Sequence, residues 1–258
     1  MRMRRKPRTV NQRTAIVTGA AHGIGHGIAR RLVEDGYAVG IVDIDPDACH
    51  AAVEQLCPIG KVAAAAADIA NPDAVADAVA RVASDLGAPT ILVNNAGFAR
   101  DVSFADMSID DWDAVQNVHL RGSFLMAKAV LPYMMAARWG RVVNISSISA
   151  QGHAGRANYC AAKAGMHGFI KSLAVELGPF GITANVVAPG LIVTAMTDAT
   201  AARRGLSLED HLADAVTRIP VRRAGSPADI AHAVSYFVSE AAGFVSGQVL
   251  TVSGGVTV

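Results

Sequence analysis

Short runs of β-branched and other apolar residues alternate along the chain with longer segments of helical character. The runs are AIV at 15–17, AVGIVD at 38–43, VAAAAAD at 62–68, ILVNN at 91–95, RVVNIS at 141–146, ITANVVAP at 182–189 and QVLTVSG at 248–254. Apolar along most of their length, they predict strands buried on both faces, as in a parallel sheet. The segments between them complete a strand-helix repeat, which specifies a doubly wound α/β sheet with right-handed crossovers. Asp45-Pro46 and Asn71-Pro72 mark two helix starts, each a capping side chain followed by proline at the first helical position. No linker or short-period repeat interrupts the pattern, so one domain is expected over 14–258.

Composition supports a large core, with 52% hydrophobic and 17% charged residues in 258. The net charge of +1 hides an asymmetry. Residues 1–13 hold Arg2, Arg4, Arg5, Lys6, Arg8 and Arg13 with no acid, leaving the remainder net acidic. Without interleaved aromatic residues, 1–13 reads as a flexible, solvated arm, and neither nucleic acid nor a membrane is expected as a partner. The apolar run after the arm is too short for a signal sequence, and no run approaches the roughly 20 apolar residues of a membrane span. Cys49, Cys57 and Cys160 are odd in number and lack metal-ligand spacing. We therefore expect no metal site, no structural disulfide and a cytoplasmic location.

Candidate chemistry begins directly after the first run, where TGAAHGIGHGIA places Gly19, Gly23 and Gly25 between a strand and a helix. Glycines allow backbone amides to approach a pyrophosphate, and a helix N-terminus adds unsatisfied N–H donors and positive dipole. The second run ends in Asp43, 18 residues beyond Gly25. That is near the spacing of an acid that accepts hydrogen bonds from an adenosine ribose. Its charge would repel a 2′-phosphate, and His22 rather than an arginine occupies the variable part of the loop, so NAD is expected in preference to NADP. Asp45, before Pro46, is better placed to cap a helix.

Tyr159 and Lys163 are four residues apart in ANYCAAKAG, which follows the serine-rich strand end NISS at 144–147. On a helix they share one face a turn apart. A phenol of ordinary pKa about 10 is a poor acid-base group near neutrality, and a neighbouring ammonium is expected to lower that value. Cys160 points about 100° away from Tyr159 and reads as packing.

Together TGAAHGIG at 18–25, NNAG at 94–97, Asn117 in QNVHL, NISS, YCAAK and APGLIVT at 188–194 resemble the short-chain dehydrogenase/reductase family, from about residue 12 to the C-terminus. The resemblance implies a Rossmann-type domain with seven parallel strands, a nicotinamide cofactor and a small-molecule carbonyl or alcohol substrate, acyl thioesters among them. It also implies a catalytic set of Asn117, Ser147, Tyr159 and Lys163. Tyr159 would exchange a proton with the substrate oxygen, Lys163 would bond the nicotinamide ribose, Ser147 would hold the substrate oxygen, and Asn117 would anchor a water at a local break in its helix. Aligning the strand GRVVNISS selects Ser147, whereas a separation of 13 residues from Tyr159 selects Ser146; strand facing decides for Ser147.

Cofactor contacts implied by the same resemblance are Gly19, His22, Gly23, Ile24, Gly25, Asp43, Ile44, Asp68, Ile69, Asn95, Ala96, Gly97, Tyr159, Lys163, Pro189, Gly190, Ile192 and Thr194. Asp68 would meet the adenine, Asn94 to Gly97 the central wall, and Ile192 with Thr194 the carboxamide. Residues at about 195–220 are expected to form a substrate lid. The overall text is most similar to 3-oxoacyl-carrier-protein reductases. Asp43 departs from their common use of NADPH, and Val175 and Phe180 replace frequent arginines, although Arg138 is kept. A dehydrogenase of polyols, sugars or other small secondary alcohols is the second reading, with His153 near the pocket. A non-catalytic dinucleotide sensor is a third. The C-terminal GQVLTVSGG, with Ser253 where aspartate is frequent, resembles a segment that packs across a two-fold axis and implies a homotetramer.

Overall fold

The computed structural model describes residues 12–256 other than Arg204. Residues 1–11 of the expected basic arm lie outside them. The strands are β1 (Thr14–Thr18), β2 (Ala38–Asp43), β3 (Val62–Ala66), β4 (Pro89–Asn94), β5 (Gly140–Ile145), β6 (Ile182–Pro189) and β7 (Val249–Val252). They form one seven-stranded parallel sheet in the order β3-β2-β1-β4-β5-β6-β7. The strand order reverses beside β1, the point at which an open α/β sheet leaves a crevice beyond its carboxyl edge.

Alternation along the strands builds two cores. Ala15, Val17, Val39, Ile41, Ile91 and Val93 face α1 (Gly23–Glu34) and α9 (Pro227–Val238), where Ile28, Leu32, Val234 and Phe237 are buried. Ile16, Val42, Leu92, Val142 and Val186 face the other way. There they meet α3 (Pro72–Leu86), α5 (Gly122–Ala137) and α6 (Ala157–Leu177), through Val79, Met126, Val130 and Ile170. Burial on both faces explains why the strands lack a polar alternation.

Local chemistry fixes the helix starts. In α2 (Pro46–Leu56) the Asp45 carboxylate accepts from the amides of Asp47 and Ala48, each at 3.0 Å. Asn71 caps α3 in the same way, through Asp73 and Ala74. Before α4 (Ile109–Gln116), Ser108 and Asp111 form a capping box. The interval expected to be a lid holds α7 (Ala195–Arg203) and α8 (Leu208–Thr217). Arg13, the last residue of the basic arm, is tied down: its guanidinium stacks 3.5 Å from the Trp139 ring and pairs with Glu240 at 2.6 Å. Among the described residues no helix is long and apolar enough to cross a membrane, and no cluster of three or more His, Cys, Asp or Glu could hold a metal ion.

Candidate active site at the carboxyl edge of the sheet

The carboxyl ends of β1, β4, β5 and β6 carry the chemistry-bearing loops. After β1 the chain turns through Gly19 and Gly23, with φ of +61° and +57°, where a side chain would be strained. A Cβ on Gly19 would lie 2.7 Å from Ala96 Cα, and one on Gly25 would collide with the Gly19 carbonyl oxygen. The loop is thus pressed against the segment after β4. Asn95 Nδ2 donates to the carbonyls of Thr18 and Gly19 at 3.0 Å each, and Thr18 Oγ1 accepts from the amides of Asn95 and Ala96. Helix α1 begins at Gly23 with no side-chain cap from exposed His22 and no acid in its first turn. An uncapped N-terminus lined by Gly23, Ile24 and Gly25 has the donors and room that a pyrophosphate needs, so these residues fit a dinucleotide.

Asp43 ends β2 beside this loop. One carboxylate oxygen accepts from Ala21 N at 3.1 Å and the other from Ile44 N at 2.8 Å. Exposed Asp68, beyond β3, accepts from Ala70 N, whereas Ile69 buries its side chain in the core against Gly122 and offers the crevice no apolar side chain. From the far side, Pro189, Gly190, Ile192 and Thr194 follow β6. Gly190 N donates to Val252 O, Ile192 bridges to Gly225, and Thr194 Cγ2 would sit 3.5 Å from a Cβ on Gly23. The loops after β1 and β6 therefore meet across the crevice.

The two serines at the end of β5 face different partners. Ser146, buried, donates to the carbonyl of Lys163 at 2.9 Å and meets His167 Nε2 at 2.8 Å. Ser147 stands beside the Tyr159 side chain, whose pKa it lowers, and accepts from Ser149 N at 3.1 Å as the 3-10 turn Ile148–Gln151 begins. Tyr159 and Lys163 lie one turn apart on α6, with Lys163 Nζ 5.4 Å from the phenol ring centroid. The ammonium is buried and donates to Ile145 O at 2.7 Å. The expected fall in the Tyr159 pKa is not found. Burial pushes it above its ordinary value, opposed by the neighbouring Ser147 side chain and the charge of Arg156, while Lys163 donates to the strand carbonyl of Ile145. Lys163 itself is drawn down to about 7 by burial.

Asn117 does not join this group. The expected helix break is present as a π-helical turn over Asn117–Arg121 between α4 and α5. Asn117, however, is exposed and lines an outer groove with Leu120, Phe124, Gly165 and Phe169. The position within the site belongs to His119, two residues on. Its ring is 1% exposed, stands edge-on to Tyr159 with centroids 5.3 Å apart, and rests on Gly97, where any Cβ would strike it. Histidine Nε2 lies 3.0 Å from Phe98 N and 2.8 Å from Phe98 O. Burial, and then the charge of Lys163, lower its pKa to about 3, so it is neutral at physiological pH. Sequence spacing missed His119, although a polar ring followed closely by Gly122 and Ser123 was a signal of an unusual packing position. His153 is exposed, with Nδ1 directed at Ala154 O.

A family model described as enoyl-(acyl carrier protein) reductase matches residues 19–257. The chain belongs to the short-chain dehydrogenase/reductase family. Its relatives include the (2S)-[(R)-hydroxy(phenyl)methyl]succinyl-CoA dehydrogenase subunit BbsD of Thauera aromatica, 41% identical over 95% of this chain and 97% of that protein. Nodulation protein G of Azospirillum brasilense is 39% identical over 95% and 98%. The 3-oxoacyl-[acyl-carrier-protein] reductase FabG of Staphylococcus aureus (strain N315) is 40% identical over 94% and 97%. As a member of this family the chain is an oxidoreductase of CH–OH and carbonyl groups, served by a nicotinamide dinucleotide.

Proposed function

We propose that this protein is an NAD(H)-dependent oxidoreductase that interconverts a carbonyl and a secondary alcohol in the manner of 3-oxoacyl-[acyl-carrier-protein] reductases. The observation that carries the reading is the juxtaposition of Ser147 and Lys163 with Tyr159, Lys163 one helical turn away, at the same edge of the sheet as the glycine loop after β1. A bound nicotinamide supplies or accepts the hydride. Tyr159 gives the substrate oxygen its proton or takes it away, and Ser147 orients that oxygen. Lys163 holds the cofactor ribose. Main-chain atoms at 95–97 and 189–194 form the walls.

Asp43 supports the preference for NAD, since a carboxylate fixed at the end of β2 accepts from ribose hydroxyls and opposes a phosphate there. Two relatives bear names that describe acyl thioester chemistry, which favours a thioester substrate. A small polyol or other secondary alcohol is the second reading. It is favoured by Val175, 82% exposed where a carrier-docking arginine is frequent, and by Arg138, which donates to Pro179 O. We further infer a homotetramer, supported by the exposed apolar Leu250 on β7 and the nearby Phe244, and a cytoplasmic location, supported by the three free cysteines.

Assay of the full chain with NADH and NADPH against acetoacetyl thioesters and polyols tests the reading. NADH-linked reduction is expected, and Tyr159→Phe should lower kcat by about 10²- to 10⁴-fold with cofactor binding retained. Unchanged turnover in that variant rules the assignment out.

A further inference from the structure

Ser146 and His167 have no part in the chemistry assigned above, yet they meet directly behind it. The Ser146 hydroxyl is buried and carries one proton, with two groups in hydrogen-bond reach: the carbonyl of Lys163 at 2.9 Å and His167 Nε2 at 2.8 Å. That proton can serve only one of them. Were it given to the imidazole, the hydroxyl oxygen and the Lys163 carbonyl would stand lone pair to lone pair in a buried place. Both contacts are satisfied together when Ser146 donates to Lys163 O and accepts from an N–H at His167 Nε2. Burial, and then the charge of Lys171, lower the His167 pKa, so the ring at neutral pH is the Nε2–H tautomer with Nδ1 bare.

This arrangement ties Lys163 to the end of β5 at two points. Nζ donates to Ile145 O at 2.7 Å, and the carbonyl of the same lysine accepts from the hydroxyl of the next strand residue, Ser146. Ser146 is itself mounted firmly, since its amide donates to Val187 O on β6 at 2.8 Å. Helical register aims the His167 amide at Lys163 O as well, so the residue approaches the same carbonyl through its main chain and, by way of Ser146, through its ring. Ser147 follows in extended conformation and stands beside Tyr159. The bonds of Ser146 therefore set how the segment that carries Ser147 lies against the helix that carries Tyr159 and Lys163.

We propose that His167 is a positioning residue: its Nε2–H holds the Ser146 hydroxyl on Lys163 O, and this strap fixes the register of α6 against β5 on which the alignment of Tyr159 with Ser147 depends. The inference rests on the oxidoreductase reading above and adds to it a ring that touches neither substrate nor cofactor. An apolar side chain in its place frees the hydroxyl to turn from the carbonyl and loosens the strap without disturbing the glycine loop.

The test compares wild type, His167→Leu, His167→Gln, Ser146→Ala and the Ser146→Ala/His167→Leu double variant as full-length proteins, using acetoacetyl-CoA reduction and cofactor titration by fluorescence. His167→Leu is expected to lose about tenfold in kcat with KM and cofactor Kd little changed. His167→Gln, whose side-chain amide can donate from near the place of Nε2, should recover most of the loss. On the Ser146→Ala background, His167→Leu should cost nothing further. Nitrogen-15 NMR of the wild-type imidazoles at pH 8, with the His167 signals assigned by their loss in His167→Gln, supplies a readout independent of turnover: Nε2 protonated and Nδ1 bare. It decides the matter even if His167→Leu does not fold. A proton on Nδ1, wild-type kcat in His167→Leu, or the full loss persisting on the Ser146→Ala background overturns the inference. Retained activity in His167→Leu alongside its loss in Tyr159→Phe removes this inference alone; indifference to Tyr159→Phe, or no turnover of thioesters and polyols with either dinucleotide, removes the underlying reading as well.

Discussion

A histidine that resists protonation until about pH 3 makes the folded state sensitive to acid. In the unfolded chain the same ring takes up its proton near 6.5. Between those values the unfolded state binds more protons, so stability falls as pH drops from 6.5 toward 3, by up to roughly 4 to 5 kcal/mol. Urea unfolding from pH 7 to 4 should show a shallower loss in His119→Asn than in wild type. Lys163, drawn down to about 7, acts in the alkaline range: stability rises as pH climbs from about 7 toward the free-lysine value near 10.4. Ser147 lowers the Tyr159 pKa, against the larger effect of burial. In Ser147→Ala the ascending limb of alcohol oxidation, on which the phenol loses its proton, is therefore expected at higher pH, together with a fall in kcat, both readable from a pH–rate profile.

At the scale of elements, the strands were legible because continuous β-branched runs have few other uses in a chain with strong helix signals between them; β2 and β6 fall on the runs AVGIVD and ITANVVAP. The caps at Asp45 and Asn71 were equally local and equally readable. Asn117 was not, since its facing depends on a π turn, in which the added residue rotates everything that follows. Spacing counted on regular helical geometry cannot follow that rotation. The electrostatics of Tyr159 and Lys163 escaped for a related reason, because where Nζ points is decided by the carbonyl of Ile145 on another element. Close packing of the glycine cradle leads to a further expectation. Gly25→Ala would drive a methyl into the Gly19 carbonyl, so cofactor Kd measured by calorimetry should rise at least about tenfold, with stability lowered by roughly 1 to 3 kcal/mol.

Across the whole molecule, the parallel order of the sheet gathers residues from distant parts of the chain at one edge, which is why motifs more than a hundred residues apart in sequence converge on a single crevice. The arm-proximal end is fastened on the same scale, where Trp139 lies between Arg13 and Arg141 with Glu240 alongside. Arg13→Ala should cost no more than about 1 kcal/mol in thermal or chemical unfolding, as befits a partly exposed ion pair and stack. Asp43 couples cofactor choice to construction. Its two oxygens join the amides of Ala21 and Ile44, so the group expected to discriminate between cofactors also fastens the turn on which either would rest. An engineer who swaps it for serine to admit a phosphorylated ribose should see the NADPH-to-NADH ratio of kcat/KM rise while both dinucleotides bind less tightly. Recovering that lost grip would require a second substitution that re-anchors the turn.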